Sequence, residues 1–339
     1  MFTLPRSLVL LFVLIAACCC ALPVLADTAQ DQFKRGADLY DDMKYEEAIA
    51  AYTKAIELNP KYIEAYIERG RTYGCLKQYD RAAADYTKAI EIDPDFRMYD
   101  MSTYDLRAFT YYNLGKYDLA LADYAKLIEQ DPEDSGSYDS RAMTYKAMKQ
   151  YDKAIADYNK AIELNPRAAV AYLGRGEVYR RQAKYDKALA DQSKAIEIVP
   201  KYTYAFIERG FTYLVLKQDD KALADFSKAL EYSPKHLTAL YYHGVALMRL
   251  DKLNEALEDL TGVIKNSLKF LDAYYCRGQV YAKLGKQEEA AADFSEVIKI
   301  NPAHIDAYRQ RADAYRALGK ADLADADLAK VKELEGKAK

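Results

Sequence analysis

Counted in a 34-residue frame, an arginine recurs at position 7 of nearly every unit and an aspartate at position 23. The arginines are Arg35, Arg69, Arg107, Arg141, Arg175, Arg209, Arg277 and Arg311, with His243 in the seventh unit. The aspartates are Asp85, Asp123, Asp157, Asp191, Asp225, Asp259, Asp293 and Asp327. A guanidinium beside a carboxylate can hold an anion or steady a developing charge, so one such pair in a cleft could be catalytic. Repetition argues the reverse, because a pair carried by almost every unit is scaffold. Each arginine, on a first helix, is expected to meet an aspartate of a second helix, within its unit or the next. Such pairs fix stacking register more than they add stability. The rest of the reactive inventory is thin. His236, His243 and His304 are the only histidines, too few for a His-rich metal site. No H-E-x-x-H, Gly-rich phosphate loop or G-x-S-x-G is present, and no Cys/His pair has catalytic spacing. The sequence therefore predicts no enzyme activity, no catalytic residue, no cofactor and no metal.

The frame itself comes from the prolines. Pro60, Pro94, Pro132, Pro166, Pro200, Pro234 and Pro302 are spaced by 34, 38, 34, 34, 34 and twice 34 residues, and Leu268 fills the skipped place. With this proline at position 32, the units are 29–62, 63–96, 101–134, 135–168, 169–202, 203–236, 237–270, 271–304 and 305–338, with a four-residue insertion at 97–100. Position 20 is alanine in all nine, position 8 is always glycine or alanine, and position 11 is tyrosine in seven. Small residues at 8 and 20 let two antiparallel helices approach closely. Positions 4, 8 and 11 share one helical face, and 20, 24 and 27 share a face of the next helix. Proline at 32 ends the second helix, since the residue before it avoids the helical region. One helix pair cannot bury its apolar face alone, so the units must stack. The insertion predicts a longer loop or an extra helical turn, with a bend or contact patch as the sharper alternative.

The N-terminus reads differently. Arg6 precedes an apolar run from Leu8 to Ala17, and small residues lead to Ala26, the pattern of a secretory signal over 1–26 cleaved between Ala26 and Asp27. A competing reading makes Ile15-Ala16-Ala17-Cys18 a lipobox, with Cys18 lipidated and the chain anchored to the envelope. Export, to a bacterial periplasm, is the expectation. Past the signal only Cys75 and Cys276 remain, far apart in the repeat order and expected to be two buried small apolar residues. Of the 339 residues, 51% are apolar and 30% charged, which excludes disorder. A net charge of −3 excludes a generic electrostatic grip on nucleic acid or anionic lipid. No membrane span is expected in the mature chain.

The nine units, with Gly/Ala at 8, Tyr at 11, Ala at 20 and Pro at 32, closely resemble the tetratricopeptide repeat, and the resemblance covers nearly all of 29–338. It implies an all-α fold, a right-handed α-solenoid of about nine helix–turn–helix repeats with a concave groove, and a non-enzymatic protein–protein interaction scaffold. It also implies that positions 2, 5, 9 and 12 of each first helix line the groove. On those positions, the residues expected to meet a partner are Phe33, Tyr40, Ile67, Arg71, Phe109, Tyr112, Tyr204, Ile207, Phe211, Leu214, Tyr241, Val245, Met248 and Tyr275. Units six to eight should expose an apolar strip, suited to an extended peptide or an amphipathic helix. Self-association through the strip, a glycan ligand, or a lipid-anchored assembly role are the competing readings. Some relatives clamp a C-terminal carboxylate with Lys at position 5 and Asn at position 9. Neither occurs here, so that activity is not expected.

Overall fold

The computed structural model describes residues 27–337, so Asp27 is described while Ala26 and Cys18 lie outside the described residues. Among the described residues there are eighteen helices, most of them paired into antiparallel hairpins, and one two-stranded sheet. The chain divides into two compact units, one up to Thr144 and one from Tyr145, with the division inside the helix Ser135–Ala147. In the first unit the pairs are Ala29–Asp41 with Tyr45–Leu58, Ile63–Cys75 with Tyr79–Ile92, and Thr103–Asn113 with Tyr117–Gln130. In the second they include Ala169–Arg181 with Tyr185–Ile198, Thr203–Val215 with Asp219–Tyr232, and Leu237–Arg249 with Leu253–Asn266. Leu271–Lys283 with Gln287–Ile300 and Ile305–Ala317 with Ala321–Lys337 follow.

Local chemistry sets these boundaries. Every first helix ends in the same way, with the position-16 amide donating to the position-11 carbonyl, as in Gln78 to Tyr73 at 2.8 Å and Lys252 to Leu247 at 2.9 Å. This is the Schellman closure, and it requires a left-handed residue between. Position 15 supplies it in all nine repeats: Gly115, Gly285 and Gly319, but also Met43, Lys77, Lys149, Ala183, Lys217 and Asp251, all with positive φ. Second helices stop at an extended residue before the proline, such as Asn59 (φ −138°) or Asn301 (φ −132°). Ser267 is extended as well, although Leu268 follows it in place of proline.

The small-residue positions explain the close helix contacts. All nine position-20 alanines are fully buried. In four repeats the position-8 glycine faces the ring at position 24: a Cβ built on Gly70 would come within 2.8 Å of Tyr86, and one on Gly210 within 2.7 Å of Phe226. Phe226 and Phe294 are fully buried, each contributing roughly 1.5–3 kcal/mol of hydrophobic stabilisation.

The arginine–aspartate pairs form within repeats. Arg69–Asp85, Arg107–Asp123, Arg175–Asp191, Arg209–Asp225, Arg277–Asp293 and Arg311–Asp327 are each bidentate, with Nε and Nη2 donating to the two carboxylate oxygens at 2.7–2.9 Å. The sequence reading missed the third bond. Each Nη1 reaches back to position 25 of the preceding repeat: Thr53, Thr87, Asn159, Ser193, Thr261 and Ser295, at 2.6–3.2 Å. One guanidinium thus ties its own helix pair together and fixes the stacking of the neighbour behind. His243 does the same with less reach, its Nδ1 2.6 Å from Asp259 and its Nε2 3.0 Å from the Ser227 hydroxyl. Arg35 has no such partner at position 23, where the first repeat carries Ala51, and it is exposed.

The insertion is neither a longer loop nor an extra helical turn. Arg97–Met98 and Met101–Ser102 pair antiparallel, Arg97 opposite Ser102 and Met98 opposite Met101. Tyr99 and Asp100 between them both take positive φ, 51° and 61°, the geometry of a two-residue hairpin whose twist suits the strands. Two successive left-handed residues cannot extend a right-handed helix. Phe96 and Met98 pack against the Ile67–Tyr86 core and seat the hairpin on repeat two.

Candidate functional site

The groove-facing positions divide between surface and core. In the first unit Phe109 is 56% exposed. Phe33, Tyr40, Arg71 and Tyr112 are half-buried. Ile67 is buried, a correction to its expected exposure, because its branched side chain fills the repeat-two core beneath Tyr86. Phe33 stacks its ring 5.0 Å from Tyr62, and the Tyr112 ring lies 5.7 Å from Tyr117. Arg71 sits between two tyrosines, 5.9 Å from the Tyr40 ring and 5.5 Å from the Tyr99 ring of the hairpin, while its Nη1 donates to Glu68 at 2.7 Å. The Tyr40 hydroxyl is 3.5 Å from Cys75 Sγ. That contact, reinforced by burial, pushes the Tyr40 phenol up to about 12. Cys75 itself is exposed, not buried as expected. It occupies position 13, the last residue of its helix.

In the second unit the expected strip is half interior. Ile207, Leu214, Tyr241 and Val245 are all buried, which corrects the reading of units six to eight as an exposed apolar face. They pack against neighbouring first helices, because stacking brings positions 5, 9 and 12 of one repeat close to those of the next. Tyr241 places its hydroxyl 3.4 Å from the buried Cys276 Sγ, and burial pushes both groups upward in pKa. Four of the named residues reach the surface to differing degrees. Tyr204 is 61% exposed. Phe211, Met248 and Tyr275 are half-buried.

What remains is a concavity of about 380 Å³ lined by Arg180, Phe211, Leu214, Val215, Tyr242, Val245 and Arg249. Three first helices supply it: Ala169–Arg181, Thr203–Val215 and Leu237–Arg249. Its floor is apolar. Phe211 meets the Tyr242 ring edge-on with centroids 4.3 Å apart, and Phe226 supports both from below at 5.7 and 6.0 Å. Val215, 51% exposed, forms one lip. Arg180 lies over the Phe211 ring at 5.9 Å and donates from Nη2 to Glu208 at 2.9 Å. Burial pushes the Glu208 carboxyl upward, against the pull of Arg180. Arg249 donates from Nη1 to the Leu214 carbonyl at 2.9 Å and reaches Asp219 at 3.3 Å.

Of these lining residues the sequence reading named Phe211, Leu214 and Val245, placed Arg180 at a groove position, and missed Tyr242, Val215 and Arg249. The missed three sit at positions 6 and 13. Positions 6, 9 and 13 follow i, i+3, i+7 spacing and therefore share a face, a signal present in the sequence. Tyr99 was missed because only a hairpin could carry it over Arg71.

A family model described as TPR repeat matches residues 36–74 and 142–183. Models described as tetratricopeptide repeat match 63–96, 102–134, 124–156, 169–202, 219–267 and 271–304. The chain belongs to the tetratricopeptide repeat family. A tetratricopeptide repeat protein from Parabacteroides merdae ATCC 43184 is similar in structure, with a TM-score of 0.57 at 18% identity over 84% of this chain and 98% of its own. The APC/C hetero-tetramer Cut9–Hcn1 contains a chain with a TM-score of 0.57 at 14% identity, covering 96% of this chain and 79% of that one. Both likenesses concern the fold. YrrB, described as a TPR protein with an unusual peptide-binding site, is 30% identical over 54% of this chain and 95% of its own, with a TM-score of 0.48. No curated protein matches the sequence. Tetratricopeptide arrays are generally non-enzymatic scaffolds for protein interaction, and this chain has that architecture. Among the described residues no group of three or more His, Cys, Asp or Glu could hold a metal ion, and no helix is long and apolar enough to cross a membrane.

Proposed function

We propose that this tetratricopeptide protein binds an extended peptide or an amphipathic helix of a partner protein on the concave surface of repeats five to seven. The carrying observation is the pocket over Phe211 and Tyr242. It combines a pre-formed aromatic floor, an exposed apolar lip at Val215 and polar groups at the rim, the composition of a recognition site. Rigid rings and a neighbouring flexible Met248 suit a peptide that lays apolar side chains into a groove. We also read the chain as exported, with cleavage between Ala26 and Asp27. The support is the apolar run and small residues of 1–26.

The binding test uses residues that are exposed, since Tyr241 and half of the Phe211 ring are structural. The mature chain and a Val215→Glu variant are immobilised beside a Leu58→Glu control, which alters an exposed residue of the first repeat. A protein retained by wild type and by Leu58→Glu but lost by Val215→Glu supports the reading. Equal retention by all three moves the site off this pocket. N-terminal sequencing of the exported protein should begin at Asp27. Fatty-acid incorporation that disappears in Cys18→Ser would instead establish the lipid anchor.

A further inference from the structure

The wall of the repeat-five-to-seven pocket is chemically one-sided. Its charged members are Arg180 and Arg249, and no carboxylate lines it. Each arginine is balanced by one carboxylate, so the asymmetry lies in which groups line the pocket. Both arginines have carboxylate partners, Glu208 and Asp219, but those stand behind the wall rather than on it. The Asp219 side chain is 20% exposed against 43% for Arg249, while Glu208 and Arg180 are about equally covered, at 23% and 21%.

Neither arginine has its donors used up. A guanidinium carries five N–H groups. Arg249 commits Nη1 to Leu214 and Asp219, and Arg180 commits Nη2 to Glu208. The spare donors border an apolar floor of low polarity, where a charge-assisted bond is stronger than in open water. The Tyr242 phenol of the floor is raised first by burial and then by the charge of Asp272 in repeat eight.

We propose that this pocket selects a peptide segment in which an acidic side chain stands beside a large apolar one. The apolar side chain lies on Phe211, Tyr242 and Val245, and the carboxylate accepts hydrogen bonds from Arg249 and Arg180. The proposal rests on the groove reading above and names the chemistry that the groove accepts.

The test is fluorescence anisotropy with defined, end-blocked glycine–serine peptides. One carries a phenylalanine flanked by glutamates, the second the same phenylalanine flanked by lysines, and the third the phenylalanine flanked by serines. The protein is the mature chain, wild type and Arg249→Gln. The glutamate peptide should bind at least about tenfold more tightly than the lysine peptide, a gap corresponding to one like-versus-opposite charge contact. Added salt should weaken the glutamate peptide more than the serine peptide. Arg249→Gln should close most of the gap between them while keeping the helical circular dichroism of wild type. Equal affinity for glutamate and lysine peptides, each lost in the Val215→Glu variant, would overturn the acidic preference and leave the groove reading standing. If no peptide binds, both fall. The salt dependence needs no variant, so a misfolded Arg249→Gln would not rescue a failed proposal.

Discussion

Two glycines one helical turn apart should respond in opposite ways to the same added methyl. Gly70 and Gly74 both lie in Ile63–Cys75 and share the same gain in helix propensity on changing to alanine, up to about 1 kcal/mol. Their surroundings differ. A Cβ at Gly74 meets nothing within 4 Å, so Gly74→Ala should keep its gain, about 0.5–1 kcal/mol. A Cβ at Gly70 would lie 2.8, 3.0 and 3.2 Å from three ring atoms of Tyr86, about 0.5 to 1 Å inside the usual carbon–carbon contact. Tyr86 is buried and cannot swing into solvent. Overpacking of this kind costs about 1–3 kcal/mol, so Gly70→Ala should lose up to about 2 kcal/mol after the propensity gain. The third repeat, with Ala108 at the same position opposite Tyr124, shows that a methyl can be housed when the helices are set for it. The lower half of that range is accordingly favoured. The assay is urea unfolding followed by circular dichroism, with amide exchange in Ile63–Cys75 as the local readout, because repeat arrays need not unfold in one step. Gly70→Ala as stable as wild type or more so would refute the claim that glycine sits there to admit the Tyr86 ring.

Other consequences are as direct. Ala183 and Lys217 hold left-handed φ of 57° and 56° at the Schellman position, so Ala183→Gly and Lys217→Gly should each raise stability by about 1 kcal/mol in thermal melts. Arg209→Leu would strand Asp225, whose side chain is 7% exposed, and should cost about 3–5 kcal/mol. The double variant Arg209→Leu/Asp225→Leu should recover most of that loss, and a double variant no better than the single would show the two residues to be uncoupled. Burial alone would raise the Glu177 carboxyl, but Lys146 and Arg181 outweigh it and hold its pKa below the usual carboxylate value. A depressed pKa stabilises above the unfolded value and loses that contribution as pH falls through the folded one. Glu177→Gln should therefore melt below wild type at neutral pH, and the two curves should converge as the solution is acidified below the ordinary glutamate range.

Much of this architecture could be read from spacing alone. Proline at 32, alanine at 20 and the small residue at 8 report backbone geometry, and backbone geometry repeats. The arginine–aspartate pairing was legible for the same reason, but the acceptor oxygen at position 25 was not. Its residue type varies among Thr, Ser and Asn, and only stacking brings it to Nη1. The left-handed turn was signalled by glycine in three repeats and hidden by lysine, methionine, alanine or aspartate in the rest. The groove was the least legible part. Periodicity assigns Ile207, Leu214, Tyr241 and Val245 to the concave face of their own helices, but neighbour packing decides how much of each stays open. A hairpin in place of a helical turn at 97–100 could not be foreseen from length, because two left-handed non-glycine residues carry no compositional mark.

The central claim, that the surface around Phe211 and Tyr242 is where a partner binds, is tested most directly by site-specific photo-crosslinking. A photoreactive phenylalanine analogue is placed at Val215, at Leu58 or at Leu323, all exposed in the free chain. The account predicts one discrete adduct from position 215, suppressed by an excess of the glutamate-flanked peptide, and none from the other two. Adducts of equal yield at all three positions, or at 58 or 323 but not at 215, would contradict it.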